Sequence, residues 1–585
     1  MEYIMKILGR ISCLGLLFLA AFLVHLPSEL CVSLAIPPDS SEYSVCLSNL
    51  FEHGKFGFTL NGEWYPSRYS PWFSLFCLSP AYLFFWGDVF ALHWAVLVFS
   101  LVYLVLAYKL GESVGLGKWA ILCAMLPLFI PDFVFYSRMI MTEIPYTALL
   151  AASALAFVRF ADDESPSLLF CLGAGALVAW GGAVRPTALP MLAPFALVVF
   201  CWRCGWRRKI ASIVLLSVPA LSYLVANLTY NKCVFGSPFR SGYHFWAAVP
   251  CDYPDIAFNV RYVLENVVKY LCEPVTAITA TSVVFVMAVA VFVLNGRFGG
   301  IRRNRHFLLI SGYVLFQGLV LLSLYCGYYW CDIRFFLPLM LCVIPLVLWA
   351  VALLFGGVET TSAKVALLLI TVVCVCCMRF ITPRYYYMVG GFTNTIVEAG
   401  ISNAVIPDKS VVLQGCNPLF LDYLCPKGKR LEHFPLHRGF DYANTMVAPT
   451  PINNLSPRPV SCWQRIVPEL VTNGVCRLPF PRTLKENPEK IKEIIDSGER
   501  VFVQRGCYPA AETRAALGTL LSLKGIALKA YGSWEVPAIE ANPVRHVYDR
   551  YLFPAFSMDT RPLLQSYYHE LVPQVGVASE GGGHE

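Results

Sequence analysis

About eleven apolar stretches, each close to the length of a membrane-crossing helix, constrain the fold of this chain more than any other feature. A helix needs roughly 20 apolar residues to cross a bilayer. The composition agrees: 57% of the 585 residues are hydrophobic and 14% are charged, and the mean hydropathy is +0.59. Such a composition excludes a soluble protein of this size, so we predict a multi-pass α-helical membrane protein. The stretches lie at residues 11–26, 89–110, 119–135, 144–160, 168–180, 188–202, 210–228, 275–294, 307–325, 335–355 and 365–378.

Basic residues in alternate loops predict the orientation of these spans. Short cytoplasmic loops are enriched in Lys and Arg. That rule places the N-terminus in the cytoplasm, with the first stretch as a retained span, and places the Asp39, Arg138 and 232–273 loops and the C-terminal region outside. Because the formal charge of +7 is explained by topology, it gives no support to a nucleic-acid partner. The basic residues that fall on the cytoplasmic side are Lys6, Arg10, Lys109, Lys118, Arg159, Arg203, Arg207, Arg208, Lys209, Arg297, Arg302, Arg303, Arg305 and Lys364.

Beyond the apolar stretches the composition changes, which predicts three regions: a transmembrane domain at 1–382, an extracytoplasmic α/β domain at 383–571 and a disordered tail at 572–585. Within the second region, the patterns at 410–415 and 500–505 are typical of buried strands. Asn487 and Pro488 are typical of a helix start, and another helix is predicted at about 511–524. Residues 72–86 are apolar but short, so we predict a re-entrant or interfacial helix there.

Charged residues in the predicted outer loops are the candidates for chemistry. Arginine binds phosphate through a planar fork of donors, and a nearby carboxylate can take a proton from a hydroxyl group. Both types at one lipid–water boundary favour group transfer from a lipid-linked phosphate, in which the arginines stabilise the departing phosphate. The candidate carboxylates are Asp39, Glu42 and Glu143, and the candidate phosphate ligands are Arg68, Arg138, Arg185 and Arg240.

Each candidate also has a plainer interpretation. Asp39 is well placed to cap a helix that begins at Ser40. Glu143 is well placed in the first turn of the following helix, where the helix dipole favours a carboxylate. Arg185 and Arg334 can anchor span ends at the membrane surface. The sequence alone leaves these alternatives open.

Four short motifs follow one another in the first half of the chain: Asp39-x-x-x-Tyr43, the loop ending in Tyr69-Ser-Pro-Trp72, Tyr136-Ser-Arg138 followed by Thr142-Glu143, and Arg185-Pro-Thr187. Their order resembles that of the GT-C glycosyltransferases, in particular the protein mannosyltransferase and lipid A aminoarabinose transferase branch. The resemblance covers about the first 340 residues. The absence of a Trp-Trp-Asp sequence disfavours the oligosaccharyltransferase branch.

This resemblance implies transfer of a sugar, with inversion, from a polyprenyl-phosphate donor to a lipid, glycan or protein acceptor. The reaction would take place on the outer face of a membrane, expected to be a bacterial inner membrane. By the same resemblance, Asp39 matches the catalytic base or acceptor-site carboxylate and Glu143 matches a second acceptor or metal-site carboxylate. Arg68 lies near the position at which relatives hold a basic residue toward the carrier phosphate. Relatives usually read Lys-Pro-Pro there, whereas this chain reads Arg68-Tyr-Ser-Pro. Glu42 follows Asp39 by three positions, whereas several relatives have adjacent acids, so the sequence leaves open whether Glu42 takes part in catalysis. It also leaves open whether the reaction needs a divalent metal ion.

Two rival classes stay open at this point. A secondary transporter or lipid flippase is the first, but such proteins place ionisable residues at the membrane midplane and show repeated halves. Here the ionisable residues cluster near one surface and no halves match. The second is a relative without catalytic activity that serves as a scaffold for envelope assembly.

Overall fold

The computed structural model describes most of the predicted membrane region and separate parts of the C-terminal region. The helices are α1 (Pro38–His53), α2 (Ser79–Phe84), α3 (His93–Ser113), α4 (Ile121–Met125), α5 (Glu143–Asp162), α6 (Leu168–Val184), α7 (Leu192–Cys201), α8 (Trp206–Phe235), α9 (Arg305–Leu324), α10 (Leu337–Leu354) and α11 (Pro488–Asp496). The described residues are 38–60, 63–130, 133, 136–137, 139–163, 166–239, 241–242, 304–324, 337–355, 359–367, 369, 405–414, 429–435, 488–505, 526–535 and 565–573.

Five helices in these ranges are long and apolar enough to cross a membrane: α3, α5, α8, α9 and α10. Each coincides with a predicted span. They differ in how much of the apolar surface is covered, since 78% of the α5 window and 72% of the α10 window are buried, against 17% for α8. The helices α5 and α10 therefore form the centre of the bundle, and α8 has the most surface left for lipid. The predicted spans at 11–26 and 275–294 and most of 365–378 lie outside the described residues.

Shorter apolar helices occupy three other predicted spans. The stretch predicted at 119–135 is divided into a 3-10 turn at Gly117–Ala120, the short α4 and a second 3-10 turn at Leu126–Phe129. Pro127 explains the break, because proline removes a backbone donor. Ser167 caps the start of helix α6, because its hydroxyl accepts a hydrogen bond from Phe170 N at 3.1 Å, and a serine cap of this kind fixes a helix start. The stretch at 188–202 is a 3-10 turn, Pro186–Met191, followed by α7.

Helices α6 and α8 approach each other closely at Gly175. A Cβ atom at this position would lie 2.1 Å from the backbone oxygen of Leu216. Only glycine fits so near to another backbone, and small residues allow membrane helices to pack at short distance. The contact fixes the position of α8 against the bundle.

Between α1 and α2 the chain forms a hairpin where the sequence predicted a loop. Strands β1 (Gly57–Leu60) and β2 (Glu63–Pro66) pair antiparallel. The rings of Phe58 and Tyr65 are buried and stack at 5.9 Å. Asn49 Nδ2 of α1 donates to Gly57 O at 2.9 Å. These contacts turn the chain back, so that the segment after β2 returns to the start of α1.

The segment predicted as an interfacial helix is short and helical. A π-helical turn, Ser74–Leu78, leads into α2. Pro80 lies in the first turn of α2, where its missing N–H leaves no broken hydrogen bond. The segment exposes four large apolar side chains: Phe76, Leu83, Phe84 and Trp86.

In the C-terminal region the described residues include a five-stranded sheet. Its strands are β3 (Ser410–Gln414), β4 (Leu431–Pro435), β5 (Arg500–Arg505), β6 (Ile526–Glu535) and β7 (Gln565–Pro573), in the spatial order β4-β3-β5-β7-β6. The pairs β3–β4 and β3–β5 are parallel, and β5–β7 and β6–β7 are antiparallel.

Several C-terminal elements lie where the sequence predicted them. The strands at 410–414 and 500–505 are present, and α11 begins at Pro488. The helix predicted at 511–524 lies outside the described residues. Strand β7 continues two residues into the segment assigned to the tail, because Val572 and Pro573 pair with Ala527 and Ile526. The α/β domain and its boundaries stay a prediction.

Candidate active site

The N-terminal part of α1 carries two carboxylates on the same face. Asp39 and Glu42 are three residues apart, which is the spacing that brings helical side chains together. The helix begins at Pro38, so both carboxylates lie near the positive end of its dipole. They differ in exposure, because the Asp39 side chain is 16% exposed and that of Glu42 is 0% exposed.

Glu42 is held by hydrogen bonds on both of its oxygens. Its Oε1 accepts from Ser67 Oγ at 2.7 Å and from Arg68 N at 2.8 Å, and its Oε2 accepts from Arg68 Nε at 2.7 Å. A buried carboxylate is costly unless it is paired and hydrogen-bonded in this way. Glu42 therefore fixes both the backbone and the guanidinium of Arg68.

Arg68 joins the two carboxylates. Its side chain is 5% exposed, its Nε faces Glu42, and its Nη2 forms an ion pair with Asp39 Oδ1. The guanidinium carbon also lies 4.8 Å from the centre of the Tyr69 ring, at cation–π distance. We call Asp39, Glu42 and Arg68 the first cluster.

Aromatic side chains and a thiol surround the first cluster. The ring of Tyr43 stacks on Tyr69 at 4.4 Å and meets Phe73 edge-on at 4.8 Å. Cys46, one turn after Glu42, is fully buried. Burial, and then the charge of Glu42, raise the pKa of the Cys46 thiol well above its ordinary value, so this thiol is protonated at neutral pH.

The segment after α8 lies directly against Arg68. A Cβ atom at Gly242 would lie 2.3 Å from Ser67 O and 2.4 Å from Arg68 Cα. Both neighbours are backbone atoms, which cannot move aside as a flexible side chain can. Gly242 therefore allows this segment to close over the backbone that presents the arginine.

A second pair of charges lies at the start of α5. Arg185 Nη2 donates to Glu143 Oε1 at 2.5 Å, and Arg185 Nε donates to Thr142 Oγ1 at 2.9 Å. Glu143 is 1% exposed and the Arg185 side chain is 8% exposed. Arg185 follows α6 in an extended conformation, and this places its side chain against α5. We call Glu143 and Arg185 the second cluster.

Polar contacts continue from the second cluster into the helix bundle. The Arg185 guanidinium lies 5.7 Å from the Tyr146 ring centre. The Tyr146 hydroxyl accepts from Thr187 Oγ1 at 3.2 Å and from Gln317 Nε2 of α9. All of these side chains are buried. The second cluster therefore belongs to a polar network that links three helical elements.

The structure thus places five of the seven predicted site residues in two groups of contacts. Arg138 and Arg240 lie outside the described residues. Glu143 does lie in the first turn of α5, whereas α1 begins at Pro38 and not at Ser40, so Asp39 lies inside the helix and does not cap it. Both carboxylates are also paired with arginine. Arg185 is buried and paired with Glu143, whereas a simple anchor would leave its guanidinium exposed.

A metal ion needs several oxygen, nitrogen or sulfur ligands. In the ranges that the structure describes, no group of three or more His, Cys, Asp or Glu side chains is gathered to hold one. The oxygens of Glu42 already accept three hydrogen bonds. The carboxylates of the two clusters are therefore paired with arginine rather than gathered as metal ligands.

Sequence reasoning missed Ser67, Gly242 and Gln317. A serine beside an arginine and a glycine in a long loop are too common to single out. Gln317 gave a signal, since it is an amide within an apolar span and such residues are costly unless hydrogen-bonded. The hairpin that precedes Arg68 also had a signal in the sequence, because Asn61-Gly62 is the pair typical of two-residue hairpin loops.

Two buried arginine–carboxylate groups thus lie beside helices that are long and apolar enough to cross a membrane, and part of the chain is similar to a glycosyltransferase family. Residues 71–230 match the family model described as dolichyl-phosphate-mannose-protein mannosyltransferase. The match confirms the predicted resemblance for this part of the chain. It includes Glu143 and Arg185, whereas Asp39, Glu42 and Arg68 precede it. A comparison of the sequence with curated proteins gave no match.

Solved structures similar to this chain include two of ArnT from Cupriavidus metallidurans. The one bound to undecaprenyl phosphate is 12% identical, covers 98% of this chain and 100% of that chain, and has a TM-score of 0.49. The apo structure is also 12% identical, covers 90% of this chain and 96% of that chain, and has the same TM-score. The oligosaccharyltransferase AglB from Archaeoglobus fulgidus, in complex with an inhibitory peptide and a dolichol-phosphate, is 11% identical to this chain. The match covers 73% of this chain and 64% of the AglB chain, and has a TM-score of 0.41.

Proposed function

We propose that this protein is an integral membrane glycosyltransferase. In this proposal it moves a sugar from a polyprenyl-phosphate donor to an acceptor on the non-cytoplasmic face of the membrane, with inversion at the anomeric carbon. The observation that carries the proposal is Arg68, a buried guanidinium shared between a sealed carboxylate and a partly exposed one. The family match at residues 71–230 supports the same reaction class.

The two carboxylates of the first cluster have different parts in the proposed reaction. Glu42 is fully buried and accepts three hydrogen bonds from Ser67 and Arg68, so we assign it a positioning role. Asp39 is 16% exposed and faces one end of the guanidinium. Asp39 is therefore the carboxylate that an acceptor can reach, and we assign it the role of base.

Arg68 is the group that meets the phosphate of the donor. A neighbouring guanidinium stabilises the ionised form of a carboxylate and so makes it a poorer base. When the donor phosphate takes the Nη2 end of Arg68, Asp39 is released to accept a proton, while Glu42 keeps the Nε end in place. Donor binding thus prepares the base.

The chemical step balances with these groups alone. The acceptor oxygen or nitrogen forms a bond to the anomeric carbon, and the bond from that carbon to the phosphate oxygen breaks. The electron pair leaves with the polyprenyl phosphate, whose developing charge Arg68 stabilises. The acceptor proton passes to Asp39.

The remaining candidates keep more limited assignments. Glu143 and Arg185 are paired with each other, so a donor phosphate could reach Arg185 only in competition with Glu143. We propose that this pair supports the site from the bundle. Arg138 and Arg240 stay proposed phosphate ligands. A lipid, a glycan or a protein is the proposed acceptor, and the bacterial inner membrane is the proposed location.

The direct test is a transfer assay with the full-length protein in lipid nanodiscs. The donors are radiolabelled polyprenyl-phosphate sugars, with the matching nucleotide sugars as controls, and the acceptor is a crude envelope fraction. We expect label to move from a lipid-linked donor and from no nucleotide sugar. Transfer from a nucleotide sugar alone would contradict the proposal. If no label moves with any donor or acceptor fraction, and a labelled polyprenyl phosphate crosses vesicles that contain the protein, the flippase alternative would replace it.

A further inference from the structure

The C-terminal end of α8 carries a tyrosine, Tyr230, beside the first cluster. Tyr230 Oη is buried and makes no hydrogen bond within the described part of the chain. Its ring packs against Trp72, four residues after Arg68, so Tyr230 lies beside the segment that presents the arginine of the first cluster. A buried hydroxyl without a partner is uncommon in folded proteins and calls for an explanation.

Neighbouring contacts hold the Tyr230 ring in place. The ring meets Trp72 edge-on at 6.4 Å and Phe235 edge-on at 6.2 Å. Trp72 is itself fixed, because its Nε1 donates to Asn227 Oδ1 at 2.8 Å, one turn before Tyr230. The hydroxyl is therefore held in one place by a rigid setting, as expected of a group that orients a ligand.

The surroundings indicate what that ligand is. Trp72 is four residues after Arg68, so Tyr230 packs on the same segment that presents the guanidinium. Helix α8 is the least covered of the described long helices, with 17% of its apolar window buried. A molecule whose tail stays in lipid can therefore lie along α8 with its head group between Tyr230 and Arg68.

We propose that Tyr230 is a further substrate-binding residue, whose hydroxyl donates a hydrogen bond to a phosphate oxygen of the polyprenyl-phosphate donor. A neutral hydroxyl adds a directional donor beside the charge of Arg68, and hydrogen bonds to charged acceptors are the stronger ones. The inference rests on the proposed function, because it assigns a residue to the same donor.

The chain offers a matched control in Tyr223. This tyrosine lies two turns earlier on α8 and meets Trp72 edge-on at 6.3 Å. A Cβ atom at Gly182 of α6 would lie 3.6 Å from the Tyr223 ring, so this tyrosine also packs against α6. Tyr223→Phe therefore removes a hydroxyl from the same helix and the same aromatic contact, but not from the first cluster.

The experiment measures binding of a fluorescent short-chain polyprenyl monophosphate to the full-length protein in phosphatidylcholine nanodiscs. We expect Tyr230→Phe to weaken binding by about tenfold, as for loss of a hydrogen bond to a charged group, and Tyr223→Phe to change it by less than about twofold. The same polyprenol without phosphate should bind both variants and the wild type equally. Competition with inorganic phosphate and with phosphatidic acid separates a general phosphate site from one that needs the polyprenyl chain.

The outcomes separate the two proposals. If the wild type binds the monophosphate no better than the polyprenol, the proposed function fails together with this inference. If the wild type discriminates and Tyr230→Phe does so equally well, only the assignment of Tyr230 fails. It also fails if Tyr230→Phe weakens the monophosphate and the polyprenol to the same extent, because the residue then has only a structural role.

Discussion

The first and second clusters each pair an arginine with carboxylates, but they differ in access and in what surrounds them. In the first, Arg68 is divided between Glu42 and Asp39, and the Asp39 side chain is 16% exposed. In the second, Glu143 is 1% exposed and Arg185 is 8% exposed, and the network continues into the bundle through Tyr146. A partly accessible pair can exchange its partner for a ligand, whereas breaking a fully buried pair leaves an uncompensated charge in the interior.

The largest expected effect concerns Asp39. If this carboxylate is the base, Asp39→Asn should lower sugar transfer by about 10²- to 10⁴-fold, the usual contribution of general base catalysis, while the unfolding midpoint stays near that of the wild type. Glu52→Gln is the control, because Glu52 lies on the same helix and its side chain is 54% exposed. Equal transfer by wild type and Asp39→Asn would leave Asp39 with a structural role only.

The next effect concerns stability and the second cluster. Removing one partner of a buried ion pair costs about 3–5 kcal/mol, so Glu143→Gln should lower the free energy of unfolding by about that amount. The double variant Glu143→Gln/Arg185→Met should recover part of the loss, since no buried guanidinium is then left facing an amide. Unfolding in mixed micelles, followed by circular dichroism, gives both values. Full stability of Glu143→Gln together with lost transfer would instead make Glu143 a catalytic residue and remove the distinction between the clusters.

A smaller effect on sugar transfer is expected from a substitution at Gly242, which touches the first cluster and not the second. Gly242→Ala forces a Cβ atom onto the backbone of Ser67 and Arg68, so we expect transfer to fall roughly tenfold to 10²-fold through displacement of Arg68. Gly173→Ala on α6 is the control, because no atom lies within 4 Å of the added Cβ. If Gly242→Ala transfers sugar at the wild-type rate, the segment after α8 does not position the arginine.

The smallest effect tests the packing around the first cluster. The thiolate is the form of cysteine that reacts with alkylating reagents, and burial and Glu42 raise the pKa of Cys46. In folded protein at pH 8, iodoacetamide should therefore leave Cys46 unmodified and modify the exposed Cys233, as read by peptide mass spectrometry. Modification of Cys46 at the rate of Cys233 would show that solvent reaches the first cluster from the side of α1 that carries Cys46.

Sequence patterns predicted the class of fold because apolar stretches of about 20 residues leave a chain few alternatives. They also singled out Asp39, Arg68, Glu143 and Arg185, because charges at span ends are rare and visible. The pairing was out of reach, since Arg68 meets Asp39 only through the hairpin, and Arg185 meets Glu143 only through packing of α6 on α5. Such contacts depend on tertiary geometry and not on local propensity.

Strand β7 lies between β5 and β6 in the C-terminal sheet, although it follows both of them in the sequence. Neither neighbour can complete its hydrogen bonds until residues 565–573 have left the ribosome and, in the predicted topology, crossed the membrane. Until then the facing edges of β5 and β6 are open templates for other strands. Biogenesis of this region is thus timed by its last described strand, and a truncation before residue 565 should yield a protein that aggregates rather than one that merely lacks an edge.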